Sequence, residues 1–188
     1  KNVYTDWSCS AINAFIDAVI ILKNKDCAEL ALRALNLLAE KCYTESSGVF
    51  HYYDEGAQDA RIFGLLGDNA ALMTCLLHAY RLTEDEKYLR RAEDTAMFML
   101  DNLMDEDGVF FDKISKTEDV GYLKQKRKPL AENSIAAFAF CLMFEKTSNL
   151  KHKVIARKIL AHFADSFRGS GPHAAIYGLA VEKFLSLG

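Results

Sequence analysis

The residues in this 188-residue chain that could do chemistry stand at the beginnings of apolar helical stretches. They are Asp6 with Trp7, Asp68 with Asn69, Glu132 with Asn133, and His173. A helix start offers free N–H groups and a partial positive charge. If these starts share one face, their side chains converge on one mouth. Two carboxylates and a histidine around an aromatic ring are the parts of a sugar site. Asp68, Glu132 and His173 are the candidates for acid and base work, one carboxyl giving a proton while another takes one. Asp6, Trp7, Asn69 and Asn133 are the candidates for holding the ligand, with its ring stacked on Trp7. The same residues also have a structural reading. Asp6 and Asp68 suit helix N-caps, and Glu132 in a first turn complements the helix dipole without touching a ligand.

Other groupings carry less. Asp105-Glu106-Asp107-Gly108 begins like a calcium loop, but the later oxygen ligands do not follow, so it reads as a turn. His51, His78, His152 and His162 lack the spacing of a zinc site, and no metal or cofactor is expected. Lys124-Gln125-Lys126-Arg127-Lys128 is a basic cluster without interleaved aromatics in a chain of formal charge −3, and it reads as a solvated loop. No nucleic-acid partner is indicated. Gly169-Ser170-Gly171 has the spacing of neither a phosphate loop nor a nucleophile elbow.

The elements that must position these residues repeat. Thr5–Leu22, Leu65–Tyr80 and Leu130–Lys146 read as helices apolar on most sides, and Ala174–Leu187 as a fourth. Cys27–Tyr43, Lys87–Leu103 and Leu150–Phe167 read as amphipathic helices with one buried stripe. Ser46-Ser47-Gly48-Val49-Phe50 breaks the first pair, and Gly108-Val109-Phe110 echoes it about 60 residues on. His51-Tyr52-Tyr53 reads as an edge hairpin or ordered loop, followed by polar loop to about Arg61. Asp6, Asp68 and Glu132 fall 62 and 64 residues apart, and Ala31, Ala92 and Ala156 repeat at similar steps. A period near 62, made of one apolar and one amphipathic helix, predicts stacked helical hairpins in an inner and an outer layer. The expected fold is all-α: a partial α/α toroid of about seven helices.

Half of the residues are hydrophobic (51%), enough for one sizeable core, so residues 1–188 are expected to form a single domain, part of a longer chain. The longest uncharged apolar run, Ile135–Phe144, is short of the roughly 18 residues that span a bilayer. A membrane is therefore not expected as a partner. Five cysteines without a Cys-x-x-Cys pair read as buried hydrophobes in a reducing, cytoplasmic compartment.

Four places resemble the C-terminal half of the YyaL-type proteins, in which a thioredoxin-like domain precedes a helical toroid. They are Leu66-Gly67-Asp68-Asn69-Ala70-Ala71-Leu72, Tyr88-Leu89-Arg90-Arg91-Ala92, Asp105-Glu106-Asp107-Gly108-Val109-Phe110-Phe111 and Pro129-Leu130-Ala131-Glu132-Asn133-Ser134. Asp68, Ala70, Pro129, Asn133 and Ser134 match that family's pattern, whereas Asn69 and Leu130 stand where it has Tyr and Ser. The resemblance implies an α/α toroid similar to the six-hairpin glycosidases and the sugar 2-epimerases. Two functions are then expected to compete: a carbohydrate-related domain with a carboxylate acid/base pair, and a non-catalytic helical module. The second would bind a thioredoxin-like domain, or another copy through the open edge of the ring.

Overall fold

A computed structural model describes residues 1–44, 48–115, 117 and 119–188. It contains seven α-helices: α1 (Thr5–Leu22), α2 (Lys25–Cys42), α3 (Leu66–Thr83), α4 (Glu86–Asn102), α5 (Leu130–Thr147), α6 (Leu150–Phe163) and α7 (His173–Leu185). The odd-numbered helices form the inner layer, in which α1 packs on α3, α3 on α5 and α5 on α7. The even-numbered helices back them, α2 on α1, α4 on α3 and α6 on α5. This is a partial α/α toroid.

Burial follows the pattern of the side chains. On α3, residues as different in direction as Leu66, Leu72, Met73, Leu76, Leu77 and Ala79 are buried, because neighbours lie on opposite sides of the helix. On α4 only one stripe is buried, through Tyr88, Ala92, Thr95, Ala96 and Met99. Ala31, Ala92 and Ala156 are fully buried at equivalent points of the three outer helices, where a small side chain suits a close approach to the inner layer.

The turn from each inner helix to its outer partner is the same two-residue device. Lys23, Glu84 and Ser148 take left-handed backbone (φ 55°, 57° and 54°), and the next residue caps the following helix. Asn24, Asp85 and Asn149 accept from the N–H of Asp26, Lys87 and Lys151 at 3.0–3.1 Å. Since α1, α3 and α5 are each 18 residues long, these turns fix the register of the copies at steps of 61 and 64. The expected alignment of Asp6 with Asp68 is therefore one residue out. Trp7, Asp68 and Glu132 occupy equivalent positions, and Asp6 precedes them by one.

The return from outer to inner helix is longer and carries the β-structure. β1 (Asn2–Tyr4), β2 (Tyr43–Thr44), β3 (Gly48–Asp54) and β4 (Asp59–Phe63) are all antiparallel to a neighbour. β3 is central, with β1 paired as Val3↔Tyr53 and β4 as Tyr52↔Arg61. The expected polar loop before Arg61 is thus a strand, turned by Asp54, whose carboxylate accepts from the N–H groups of Gly56 and Ala57. The expected helix break at Ser46-Ser47 lies outside the described residues. Gly48 and its counterpart Gly108 have φ of 71° and 81°, and a Cβ on Gly48 would come within 2.8 Å of the Phe98 ring.

Asn133 ties the second return to the inner layer. Its Oδ1 accepts from Phe110 N at 3.0 Å, and its Nδ2 donates to Phe110 O and Pro129 O, both at 2.9 Å. Asn69 repeats part of this by donating to Leu65 O at 2.7 Å, while in the first copy Phe50 O accepts from the Thr5 hydroxyl.

By length and composition α1 alone, among the described helices, is apolar enough to cross a bilayer, a property that the count of uncharged runs did not reveal. Cys9, Ile12 and Ile16 of α1 are buried in the core against its neighbours, whereas Phe15, Ile21 and Leu22 are exposed.

Asn133→Ala is expected to lower the unfolding free energy by about 2–4 kcal/mol, because it leaves both polar atoms of Phe110 buried and unpaired. Asn149→Ala, which removes one exposed cap, should cost about 1 kcal/mol. Urea unfolding of the two variants compares them directly.

Candidate functional site

The inner helices α1, α3 and α5 open on a common side without side-chain caps. Their N-cap positions are Tyr4, Leu65 and Pro129, none of which caps through a side chain. Asp68 lies in the third helical position and does not cap either. A cavity of ≈ 290 Å³ lies there, lined by Asp6, His51, Leu65, Gly67, Asp68, Asp112, Lys113 and Glu132. α1, α3 and α5 each supply one carboxylate from the first turn. β3 supplies His51, and the return after α4 supplies Asp112 and Lys113, the latter paired with Asp119 at 2.9 Å.

The centre of this cavity is the contact between His51 and Asp68. His51 Nδ1 lies 3.0 and 3.2 Å from the two carboxylate oxygens of Asp68, and the Asp68 side chain is only 2% exposed. The arrangement assigns the Nδ1 proton to the bond with Asp68, and Nε2 has no hydrogen-bond partner among the described residues. Burial pushes the Asp68 carboxyl up to about 6. His51 acts against that rise by its charge and its hydrogen bond, the nearby Asp6 adds to it, and the Asp6 backbone N–H restrains it. The Tyr4 ring meets His51 edge-on at 5.4 Å and packs against the imidazole.

Asp6, His51 and Asp68 also have ligand atoms that all lie within 4.8 Å of one another. One imidazole nitrogen and two carboxylates form a donor set that divalent transition ions accept. Sequence spacing could not show it, because the three come from α1, β3 and α3. His51 is the residue that reading the chain missed. Its counterpart one repeat on is Phe111, so neither the period nor any motif marks it.

The other expected residues divide. Asp6, Asp68 and Glu132 share the cavity. Asn69 and Asn133 are fully buried one position further along, where they bond to backbone carbonyls and do not line it. Trp7 is 72% exposed beside the cavity. His173 is exposed at the first residue of α7 and does not line the cavity. α6 and α7 are joined only by residues 164–172, with no strand to carry a fourth set of groups to the mouth.

A larger groove of ≈ 690 Å³ lies elsewhere, along the uncovered side of α1 and α2. Its wall is mainly apolar, with Ala11, Phe15, Leu30, Ala34 and Leu37, and Lys41, Tyr53 and Glu55 also line it. Four of the five thiols are not reactive candidates: Cys9, Cys42, Cys75 and Cys141 are buried and form no disulfide, and burial pushes Cys141 up to about 12, while Cys27 is half-buried.

No family model matches the chain, and no curated protein matches it. Solved structures do. A glycoside hydrolase family 76 mannosidase from Bacteroides thetaiotaomicron superposes with a TM-score of 0.76 at 16% identity, over 99% of this chain and 55% of that one. A cellobiose 2-epimerase from Spirochaeta thermophila gives 0.74 at 15%, over 88% and 44%. A D-mannose isomerase gives 0.72 at 16%, over 88% and 41%. The chain therefore spans about half the length of these structures, and its fold is that of the six-hairpin-glycosidase-like α/α toroids.

Proposed function

We propose that the chain is a carbohydrate-related domain that moves protons at the Asp6–His51–Asp68–Glu132 cavity. The observation that carries this is the buried Asp68 carboxylate held against His51 Nδ1. Such a carboxylate orients the imidazole and leaves Nε2 as the working nitrogen. His51 takes a proton from the sugar and Glu132, on the adjacent inner helix, serves as the partner acid. Hydrolysis by two carboxylates needs both to flank the bond being cut. Asp68 is turned into His51 and buried, so it is not one of such a pair, and the imidazole it orients points to isomerisation or epimerisation as the reaction. The mannosidase, the epimerase and the isomerase with this fold support a carbohydrate as the substrate class.

A second reading rests on the uncovered side of α1. The counterparts of Ala11 and Phe15 are Leu72 and Leu76 on α3, and Ala136 and Phe140 on α5. All four are fully buried, whereas Phe15 is 39% exposed and Leu37 of α2 is 56% exposed. On this reading the chain is a non-catalytic module whose open edge is covered by another copy. The thioredoxin-like domain of the YyaL-type resemblance is the alternative partner. In either reading residues 1–188 act as one domain, which the rest of a longer chain would complete.

Proton exchange separates the two. In D2O, mannose, glucose or cellobiose should acquire deuterium next to the carbonyl carbon, as followed by NMR. His51→Ala and Glu132→Gln should each slow that exchange by about 10²–10⁴-fold. Absence of exchange with every sugar, or exchange indifferent to His51→Ala, removes the catalytic reading. The open-edge reading instead expects a dimer in light scattering that Phe15→Glu converts to monomer.

The Asp68 carboxyl sets the pH dependence. Its folded value, about 6, lies above the ordinary 3.8, so its contribution favours the fold below pH 4 and is lost as pH rises through 6. The loss is on the order of 3 kcal/mol at most. Unfolding free energies measured between pH 4 and 7 should show that decline in the wild type and a flatter curve in Asp68→Asn. The exchange rate should have its acid limb near pH 6, since orientation of His51 requires the ionised carboxylate.

A further inference from the structure

We propose that Trp7, backed by Tyr4 and Tyr52, is a stacking subsite beside the His51–Asp68 cavity, and that the ligand is accordingly an oligosaccharide of two or more units. The proposal rests on the carbohydrate reading above and adds the size of the ligand to it.

Tryptophan is a large, mostly buried residue type, yet Trp7 is 72% exposed. Its direction is set by register. Trp7 stands on α1 where Asp68 stands on α3 and Glu132 on α5, and both of those side chains line the cavity. The register therefore places Trp7 on the same side of its helix as the two carboxylates, next to Asp6 at the edge of the cavity. The preceding residue, Asp6, lines the cavity itself and accepts from the Trp7 backbone N–H at 2.8 Å, which anchors the start of the helix.

The rings form a continuous path away from the acid–base groups. His51 and Tyr4 have centroids 5.4 Å apart, and Tyr4 and Trp7 5.3 Å apart. Tyr52 flanks Tyr4 at 5.5 Å on the adjacent strand, so Tyr4 is held between β3 and the indole. Trp7 thus stands two ring contacts from His51, with Tyr4 between them, which is the place for a second unit linked to a sugar held at His51. The apolar faces of pyranose rings pack on aromatic faces while their hydroxyls stay in water, and a flat exposed indole at a polar mouth provides such a face.

Trp7 is the sole tryptophan of the chain, so its fluorescence reports this subsite without any contribution from elsewhere. Cellobiose and α-1,6-mannotriose should be titrated against glucose and mannose, with emission and acrylamide quenching followed. The expected result is a saturable shift and protection from quenching with at least one of the two oligosaccharides, at concentrations at least tenfold below those its monosaccharide needs. Tyr4→Ala should weaken the response about tenfold. Trp7→Ala, followed by calorimetry, should lose about tenfold or more in affinity for the same oligosaccharide. Asp68→Asn should leave the fluorescence response in place while proton exchange is lost, which distinguishes failure of the subsite from failure of the acid–base reading. Three outcomes overturn the proposal: no sugar-dependent change, equal response to mono- and oligosaccharide, or a blue-shifted emission that tracks protein concentration and ignores sugar. The last would mean that protein covers Trp7.

Discussion

A helix without a polar side can persist in water only between neighbours, and the architecture follows from meeting that condition several times over. α3 and α5 meet it fully, each lying between two inner helices with an outer helix behind. The outer helices can be amphipathic because only one of their sides is enclosed. The fully buried Ala31, Ala92 and Ala156 stand where the two layers meet, and a larger side chain there would hold the layers apart. α1 meets the condition on one side only, and its exposed Phe15, Ile21 and Leu22 show what the remaining side lacks.

The chemistry of the mouth depends on the same enclosure. Asp68 begins a helix that is covered on all sides, so its carboxylate is removed from water and sits at an unusually high value for an aspartate. That burial would be unfavourable without a donor, and β3 brings one in His51. Glu132 starts an equally enclosed helix but lies nearer the opening, half-buried, where it meets solvent as well as the cavity. Two chemically similar residues at equivalent positions thus acquire different environments.

Much of this was legible in the amino-acid pattern and some was not. The alternation of apolar and amphipathic helices near a 62-residue period was enough for the layers, because helix burial imprints its own periodicity. The register was misjudged by one residue: Asp6 and Asp68 share a residue type, whereas the true equivalence is set by the left-handed turns at Lys23, Glu84 and Ser148. β1 and β4 are three and five residues long, too short for alternation to declare itself. Asn133 looked like a ligand group because it sits beside Glu132. One helical step is about 100°, and that rotation is enough to take a side chain from the mouth into the core. His51 was hidden for the opposite reason, since its partner Asp68 lies in a different element and its counterpart Phe111 cannot titrate.

The two kinds of connection differ in a way that bears on how such a chain can diverge. Residues 23–24, 84–85 and 148–149 close the hairpins on one face with a fixed backbone shape, and an inserted residue there would rotate every helix that follows. Residues 43–65, 103–129 and 164–172, on the other face, differ in length and content and yet feed helices of the same kind. Novelty can therefore accumulate on one rim while the opposite rim stays invariant. The scaffold could exchange one set of chemical groups for another, as it does between His51 and Phe111, without renegotiating its core.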